Sequence, residues 1–263
     1  MEQKSMTTPR RRVIILGASN VALSFATIVE SLRAMWREPV EIMAAMGHGR
    51  SYGQDSWVLG RKISGIFPCA LWQDLRLRPP LPTTALLTDV GNDLMYGVPP
   101  AQLVAWVAGC VDHLNTVGAT TTITELPIGS LERLGAARFQ FFLKLLFPRS
   151  SLTLATAKQA AAATNKGLMS LGGAQKVSVI PVSDAWYGFD PIHVRRSARC
   201  VAWPAMFSAW CESTERCNVT ACRFWERAYL ASLAPQEQSI FGLRRRTQQP
   251  CGRLSDGTTI SLY

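Results

Sequence analysis

Nucleophilic acyl chemistry needs a hydroxyl, a base to take its proton, and a carboxylate to hold that base in one tautomer. The chain contains three histidines, His48, His113 and His193, so candidates for the base are few. His193 ends the run Asp190-Pro191-Ile192-His193, where the aspartate can accept from one imidazole nitrogen while the other faces a hydroxyl. His113 falls late in a helical stretch and reads as a cation at a helix C-terminus. His48 lies in the loop Gly47-His48-Gly49-Arg50-Ser51-Tyr52-Gly53. The candidate nucleophile is Ser19, in Val13-Ile14-Ile15-Leu16-Gly17-Ala18-Ser19-Asn20. A buried-strand pattern gives way there to a helical one, with Val21, Phe25, Ile28 and Leu32 on one face. Ser19 therefore sits at a strand-to-helix turn that Gly17 permits, with its N–H among the unpaired donors of a helix start. A developing oxyanion needs further donors. A glycine N–H from the 47–53 loop (Gly47, Gly49 or Gly53) and the Asn92 side-chain amide in Asp89-Val90-Gly91-Asn92-Asp93 are available.

Each feature also has a plainer reading. Ser19 or Asn20 can simply cap a helix. Gly91-Asn92-Asp93 can be a turn, and Asp-x-x-His is common in surface turns. A dinucleotide loop requires Gly-x-Gly-x-x-Gly/Ala, but Ser19 replaces the middle glycine, and no acidic residue ends the second strand at Met43-Ala44-Ala45-Met46-Gly47. The case for catalysis rests on co-occurrence in a consistent order.

The elements that must position these groups alternate. Strand patterns cover 13–16, 40–46, 83–88, 119–125 and 177–181. Helical patterns cover 20–37, 99–115, 130–147, 153–170 and 194–210, and 56–76 reads as one or two short helices. Five alternations predict a five-stranded, mainly parallel sheet in a three-layer α/β/α fold. Ser19, the 47–53 loop, Asn92 and His193 then all come after carboxyl ends of strands, where open α/β sheets bind ligands. Residues 130–147 are very apolar and read as a core helix, any exposed face serving as an acyl-binding wall or a dimer contact. The expected organisation is a disordered basic tail at 1–11, an α/β domain at 12–211, and an extension at 212–263 packed on the core, with one short helix near 222–233.

The net charge is +10, much of it in Arg10-Arg11-Arg12, Arg195-Arg196 and Arg244-Arg245-Arg246. These clusters are far apart and lack a nucleic-acid motif, so solvated surface charge is expected and no nucleic-acid partner. Of seven cysteines, Cys69 and Cys110 read as small buried hydrophobes. The spacing Cys211-x5-Cys217-x4-Cys222 fits no standard zinc pattern, so no metal is expected. Arg10 to Arg12 and the apolar residues after them imitate a signal peptide, but the run is broken at Gly17-Ala18-Ser19-Asn20 and ends at Glu30 without a cleavage site. A cytoplasmic protein is expected, with no membrane insertion.

The four blocks together resemble the SGNH (GDSL-type) serine hydrolases. The family's Gly-Asp-Ser appears as Gly17-Ala18-Ser19, its second-block glycine as Gly49, its Gly-x-Asn-Asp as Gly91-Asn92-Asp93, and its Asp-x-x-His as Asp190-Pro191-Ile192-His193. The resemblance implies a flavodoxin-like three-layer fold and hydrolysis of a carboxylic ester without a cofactor. By the same resemblance Ser19 is nucleophile, His193 base and Asp190 orienting acid, with Ser19, Gly49 and Asn92 as oxyanion donors. Two departures stand out: Ala18 replaces the aspartate, and the second block is ambiguous, with Gly47 and Gly53 as alternatives to Gly49. The third block either lacks the intervening residue or is shifted by one within Asp89-Val90-Gly91-Asn92-Asp93. The substrate would be a small-molecule, saccharide or lipid ester, with Trp186 and Tyr187, beside Phe189, forming an aromatic wall or packing their loop. Arg50 and Arg195 are available for an anionic group. An acyltransferase on the same site, or an inactive ligand-binding relative, is the alternative. Oligomeric state is open.

Overall fold

The computed structural model describes residues 8–58, 60–148, 150–174, 177–210 and 222–263. In chain order the first elements are β1 (Arg11–Leu16), α1 (Ser19–Trp36), β2 (Val40–Ala45), β3 (Ser56–Val58), β4 (Arg61–Ile63), α2 (Leu71–Leu77), β5 (Thr83–Leu87) and α3 (Asn92–Met95). Next come α4 (Pro100–Asn115), β6 (Thr120–Thr124), α5 (Ile128–Glu132), α6 (Ala136–Leu146), α7 (Leu154–Ala174) and β7 (Val177–Ile180). The last are α8 (Arg199–Met206), α9 (Phe224–Ser232), β8 (Glu237–Ile240), β9 (Leu243–Arg246), β10 (Gly252–Arg253) and β11 (Thr259–Leu262).

The main sheet has the order β10-β11-β2-β1-β5-β6-β7 and is parallel except for the β10–β11 pair. Strand alternation assigns the two cores. Ile14 and Leu16 of β1 pack with Met43, Leu87, Leu103, Val107 and Leu168, on the side of α4 and α7. Val13 and Ile15 pack with Phe25, Ile28, Ile42, Leu86 and Trp203, on the side of α1 and α8. Both faces of the sheet are thus covered, as near-continuous apolar strands require. From β1 the chain runs outward to β2 on one side and to β5 on the other, so the crevice at their carboxyl ends is a topological switch point.

Several expectations are corrected. The sheet has seven strands, not five, because β10 and β11 come from the C-terminal segment, with β11 lying parallel to β2. β3 and β4 are antiparallel strands where helix was expected, and they join β8 and β9 in a second, four-stranded antiparallel sheet. The apolar 130–147 stretch is two helices, α5 and α6, with Gly135 at the start of the second. β1 begins at Arg11, not Val13, and its arginines are not solvated surface charge. Arg12 is 2% exposed and pairs with Glu41 at 2.7 Å, while Arg11 pairs with Glu38 at 2.7 Å and lies 4.5 Å over the Trp36 ring. Residues 1–7, and Cys211 and Cys217 of the cysteine pattern, lie outside the described residues. Among the described residues no helix is long and apolar enough to cross a membrane.

Candidate active site

The turn after β1 is built by packing as much as by chain flexibility. A Cβ on Gly17 would meet Val21 Cγ2 at 2.5 Å and Thr88 Cγ2 at 2.9 Å, so only glycine lets α1 start this close to β5. Ser19 and Asn20 do not cap α1, as the plainer reading had it. They lie inside its first turn, and the cap position is Ala18, which has no side-chain acceptor. The cap comes from 71 residues away. Asp89 Oδ2 accepts the N–H groups of Ala18 at 2.9 Å, Asn20 at 3.0 Å and Val21 at 3.4 Å. Asp89 adopts φ +59 to do this, a left-handed conformation that aspartate tolerates better than most residues. Its acceptor set passes over Ser19, whose N–H has no hydrogen-bond partner among the described residues. The carboxylate therefore satisfies the helix start and leaves one donor beside the serine hydroxyl.

His193 reaches that hydroxyl from the far end of the chain. Its Nε2 lies 2.9 Å from Ser19 Oγ, and its Nδ1 lies 2.6 Å from Asp190 Oδ2. Asp190 Oδ1 accepts the N–H groups of Ile192 at 2.9 Å and His193 at 3.2 Å, so the short Asp-x-x-His spacing folds into a turn that holds the ring against its own carboxylate. Burial raises the Asp190 carboxyl, but the His193 ring and these N–H groups outweigh it and leave it below its ordinary value. The arrangement keeps Asp190 ionised and the imidazole fixed for proton transfer from Ser19 Oγ.

Asn20 locks this turn in place. Its Nδ2 donates to Asp89 Oδ1 at 2.7 Å and to the Ile192 carbonyl at 3.0 Å, and its Oδ1 accepts the Val194 N–H at 2.8 Å. One side chain thus grips the residues on both sides of His193. Sequence reasoning missed this role and that of Asp89. Asn20 was weighed only as a cap, and nothing local marks Asp89 as the acceptor for a helix 71 residues earlier.

The remaining candidates fall in two groups. Asn92 is 6% exposed at the start of α3, and its Nδ2 is buried without a hydrogen-bond partner among the described residues. An orphaned buried donor is costly unless a ligand completes it. Next to it, Asp93 is fully buried, bonded to Ser51 Oγ and to the Tyr52 N–H at 2.9 Å, and ties the second loop to the third. Burial raises its carboxyl to about 6, against the opposing pull of those hydrogen bonds. Of the three glycines, Gly53 is committed elsewhere: its N–H donates to Ser51 Oγ at 3.1 Å, and a Cβ would fall 2.0 Å from the Trp106 ring. Gly49 has φ +62 in a turn closed by Arg50 N–H to the Gly47 carbonyl at 3.3 Å, and Tyr96 Oη donates to its carbonyl at 2.6 Å. The Gly49 N–H has no hydrogen-bond partner among the described residues.

Neither of the other two histidines is hydrogen-bonded to Ser19 or His193 among the described residues. His48 lines a wide cleft of about 1360 Å³ on the α1–α9 side, and burial, His193 and Arg61 all lower its pKa. His113 is not a free helix-end cation: it stacks on Trp72 at 4.9 Å, and burial and Arg76 lower its pKa. Arg50 is no anion receptor either. It is 1% exposed and donates to the carbonyls of Ser64 at 3.0 Å, Met46 at 3.2 Å and Tyr263. Trp186 packs on the α1-side core, Tyr187 lines a cavity with Asn20 and Asn92, and Phe189 is exposed under Arg138. The one described cluster with metal-ligand spacing, Glu30, Cys222 and Glu226, is centred on Arg33, which pairs with both carboxylates.

No family model and no curated protein sequence matches the chain. Solved structures do. A carbohydrate acetylesterase family member from Sinorhizobium meliloti matches with a TM-score of 0.55 at 14% identity, over 76% of this chain and 96% of that one. The native aryl esterase of M. smegmatis matches with a TM-score of 0.53 at 13% identity, over 76% and 98%. A putative acylhydrolase from Bacteroides fragilis matches with a TM-score of 0.51 at 14% identity, over 78% and 90%. At these identities the likeness is one of fold, a three-layer α/β/α architecture.

Proposed function

We propose that this protein hydrolyses a carboxylic ester through Ser19, His193 and Asp190. The observation that carries the proposal is the continuous chain from Ser19 Oγ to His193 Nε2 at 2.9 Å and from His193 Nδ1 to Asp190 Oδ2 at 2.6 Å. The esterase and acylhydrolase names of the structural neighbours agree with it.

Ser19 Oγ attacks the ester carbonyl carbon while His193 Nε2 takes the hydroxyl proton. The carbonyl oxygen becomes an oxyanion and is held by the N–H groups of Ser19 and Gly49 and by Asn92 Nδ2, donors that have no hydrogen-bond partner among the described residues. Collapse of the intermediate breaks the bond to the alcohol, and His193 returns the proton to the leaving oxygen. Water then enters, gives a proton to His193, and attacks the acyl carbon. The second collapse releases the acid and restores Ser19 with the same proton. Asp190 stays ionised throughout and stabilises the imidazolium.

Hydrolysis of p-nitrophenyl esters, wild type beside Ser19→Ala and His193→Ala, tests the proposal. Loss of nearly all turnover in both variants is expected, together with labelling of wild-type Ser19 by a fluorophosphonate. Undiminished hydrolysis by Ser19→Ala would remove it.

A further inference from the structure

An apolar space opens beside Asn92, one of the three proposed oxyanion donors. A cavity of about 120 Å³ is lined at one end by Asn92 and by Pro191 and Ile192, the two residues between Asp190 and His193. Its body is lined by Leu134, Phe139, Phe142, Leu143 and Phe147 from α6 and its flanks, over a floor of Ala157 and Ala161 on α7. One face of the helix turns inward: Phe139, Phe142 and Leu143 are buried, whereas Phe141 and Leu145 are exposed. The polar groups on the lining are mostly engaged with one another, Asn20 with Asp89 and Thr88 with Thr124. Asp89 and Glu125 line the same space, which disfavours an anionic guest.

The wall is also tied to the catalytic loop. Arg138 of α6 donates to the carbonyls of Gly188 at 2.8 Å and Phe189 at 2.9 Å, and its guanidinium lies 4.5 Å over the Phe189 ring. Phe142 meets the same ring edge-on at 5.5 Å. The pocket and the turn carrying His193 are therefore one packed unit.

We propose that this cavity is the acyl pocket of the site, and that it selects a short, neutral, apolar acyl chain over acetyl and over long chains. This rests on the ester-hydrolase reading above. The size limit comes from volume: an apolar cavity of about 150 Å³ accepts a benzene ring. The space under α6 is slightly smaller, enough for about four carbons beyond the carbonyl. Butanoyl to hexanoyl groups fill it, acetyl leaves it empty, and a decanoyl chain requires α6 to move.

The test is the acyl-length profile, from acetyl to decanoyl p-nitrophenyl esters, of wild type, Ser19→Ala, Ala161→Leu and Phe142→Ala. For wild type, kcat/KM should rise about ten-fold per methylene until the pocket is full, then fall. Ala161→Leu fills the floor and should cut hexanoyl hydrolysis at least ten-fold more than it cuts acetyl hydrolysis. Phe142→Ala opens the wall and should move the optimum to longer chains, which keeps the test decisive if the leucine variant misfolds. A profile unchanged in both pocket variants, with Ser19 still essential, overturns the pocket and leaves the hydrolase reading intact. Activity that survives Ser19→Ala overturns the hydrolase reading itself.

Discussion

Replacing Asn20 by alanine separates holding His193 from merely folding around it. Asn20 is 7% exposed and makes three hydrogen bonds, of 2.7, 3.0 and 2.8 Å, to Asp89, the Ile192 carbonyl and the Val194 N–H. Alanine leaves that carbonyl and that N–H without their partner. Each orphaned group costs about 1–3 kcal/mol, so a loss of about 2–6 kcal/mol in stability is expected. A domain in the middle of the ordinary range of about 5–15 kcal/mol remains folded at 25 °C after such a loss. The effect on chemistry is separate. Ile192 and Val194 flank His193, and without Asn20 the turn keeps Asp190, the Ser130 hydroxyl on the Pro191 carbonyl at 3.3 Å and the Arg138 bonds to Gly188 and Phe189, but loses the bonds to the Ile192 carbonyl and the Val194 N–H. A shift of about 1 Å between reacting groups costs about 10²-fold, so kcat should fall by that order with KM little changed. Asn20→Asp keeps the acceptor for Val194 but sets a second carboxylate against Asp89, so it should be the worse of the two. The assay is the rate of fluorophosphonate labelling at Ser19, beside ester turnover and a thermal melt. An alanine variant with a lowered Tm but wild-type labelling would refute the claim that this side chain orients the imidazole.

How much of this was legible in the sequence depends on how locally each feature is encoded. β1, β2 and β5 announce themselves as apolar runs because they are buried between two helical layers, and Ser19 and Asn92 are found because they stand just past the ends of two such runs. The Asp190–His193 contact is legible because its partners are three residues apart. By contrast β8 and β9 are largely exposed, and Arg61-Lys62-Ile63 pairs in a small sheet with no core beneath it, so neither apolar run nor alternation marks them. β11 is fully buried, but four residues reading Thr-Ile-Ser-Leu carry too little pattern to separate a central strand from a turn. Arg12 looked like surface charge because nothing in β1 alone shows that its register neighbour is Glu41. The Asp89 cap is invisible for the same reason. The sequence shows that Ala18 lacks a capping group and cannot show which distant carboxylate takes over. Local reading misses pairing across the sheet, which exists only once register is set.

The other predictions bear on the donors, the buried ion pair and the buried acid. Asn92→Ala should lower kcat by about 10²–10³ with little change in Tm, since its Nδ2 has no hydrogen-bond partner to lose among the described residues. A Tm drop with unaltered kcat would make Asn92 structural only. Arg12→Met strands Glu41, whose other partner Arg78 lies at 3.3 Å, and should cost about 3–5 kcal/mol in urea unfolding. Arg12→Met combined with Glu41→Leu should recover much of that, because no charge is then left buried and unpaired; equal losses would count against a buried pair. Asp93 sets a pH dependence of defined sign, because its carboxyl stands at about 6 in the fold against an ordinary 3.8. Between those values the unfolded chain gives up the proton and the folded one keeps it, so the contribution to stability is full below the lower value and lost as pH rises through the upper. The difference is worth about 3 kcal/mol at most. Melts between pH 4 and 8 should therefore show a decline in wild type from pH 4 to about 6, level above it, that is flattened in Asp93→Asn; the same decline in both would place its origin elsewhere.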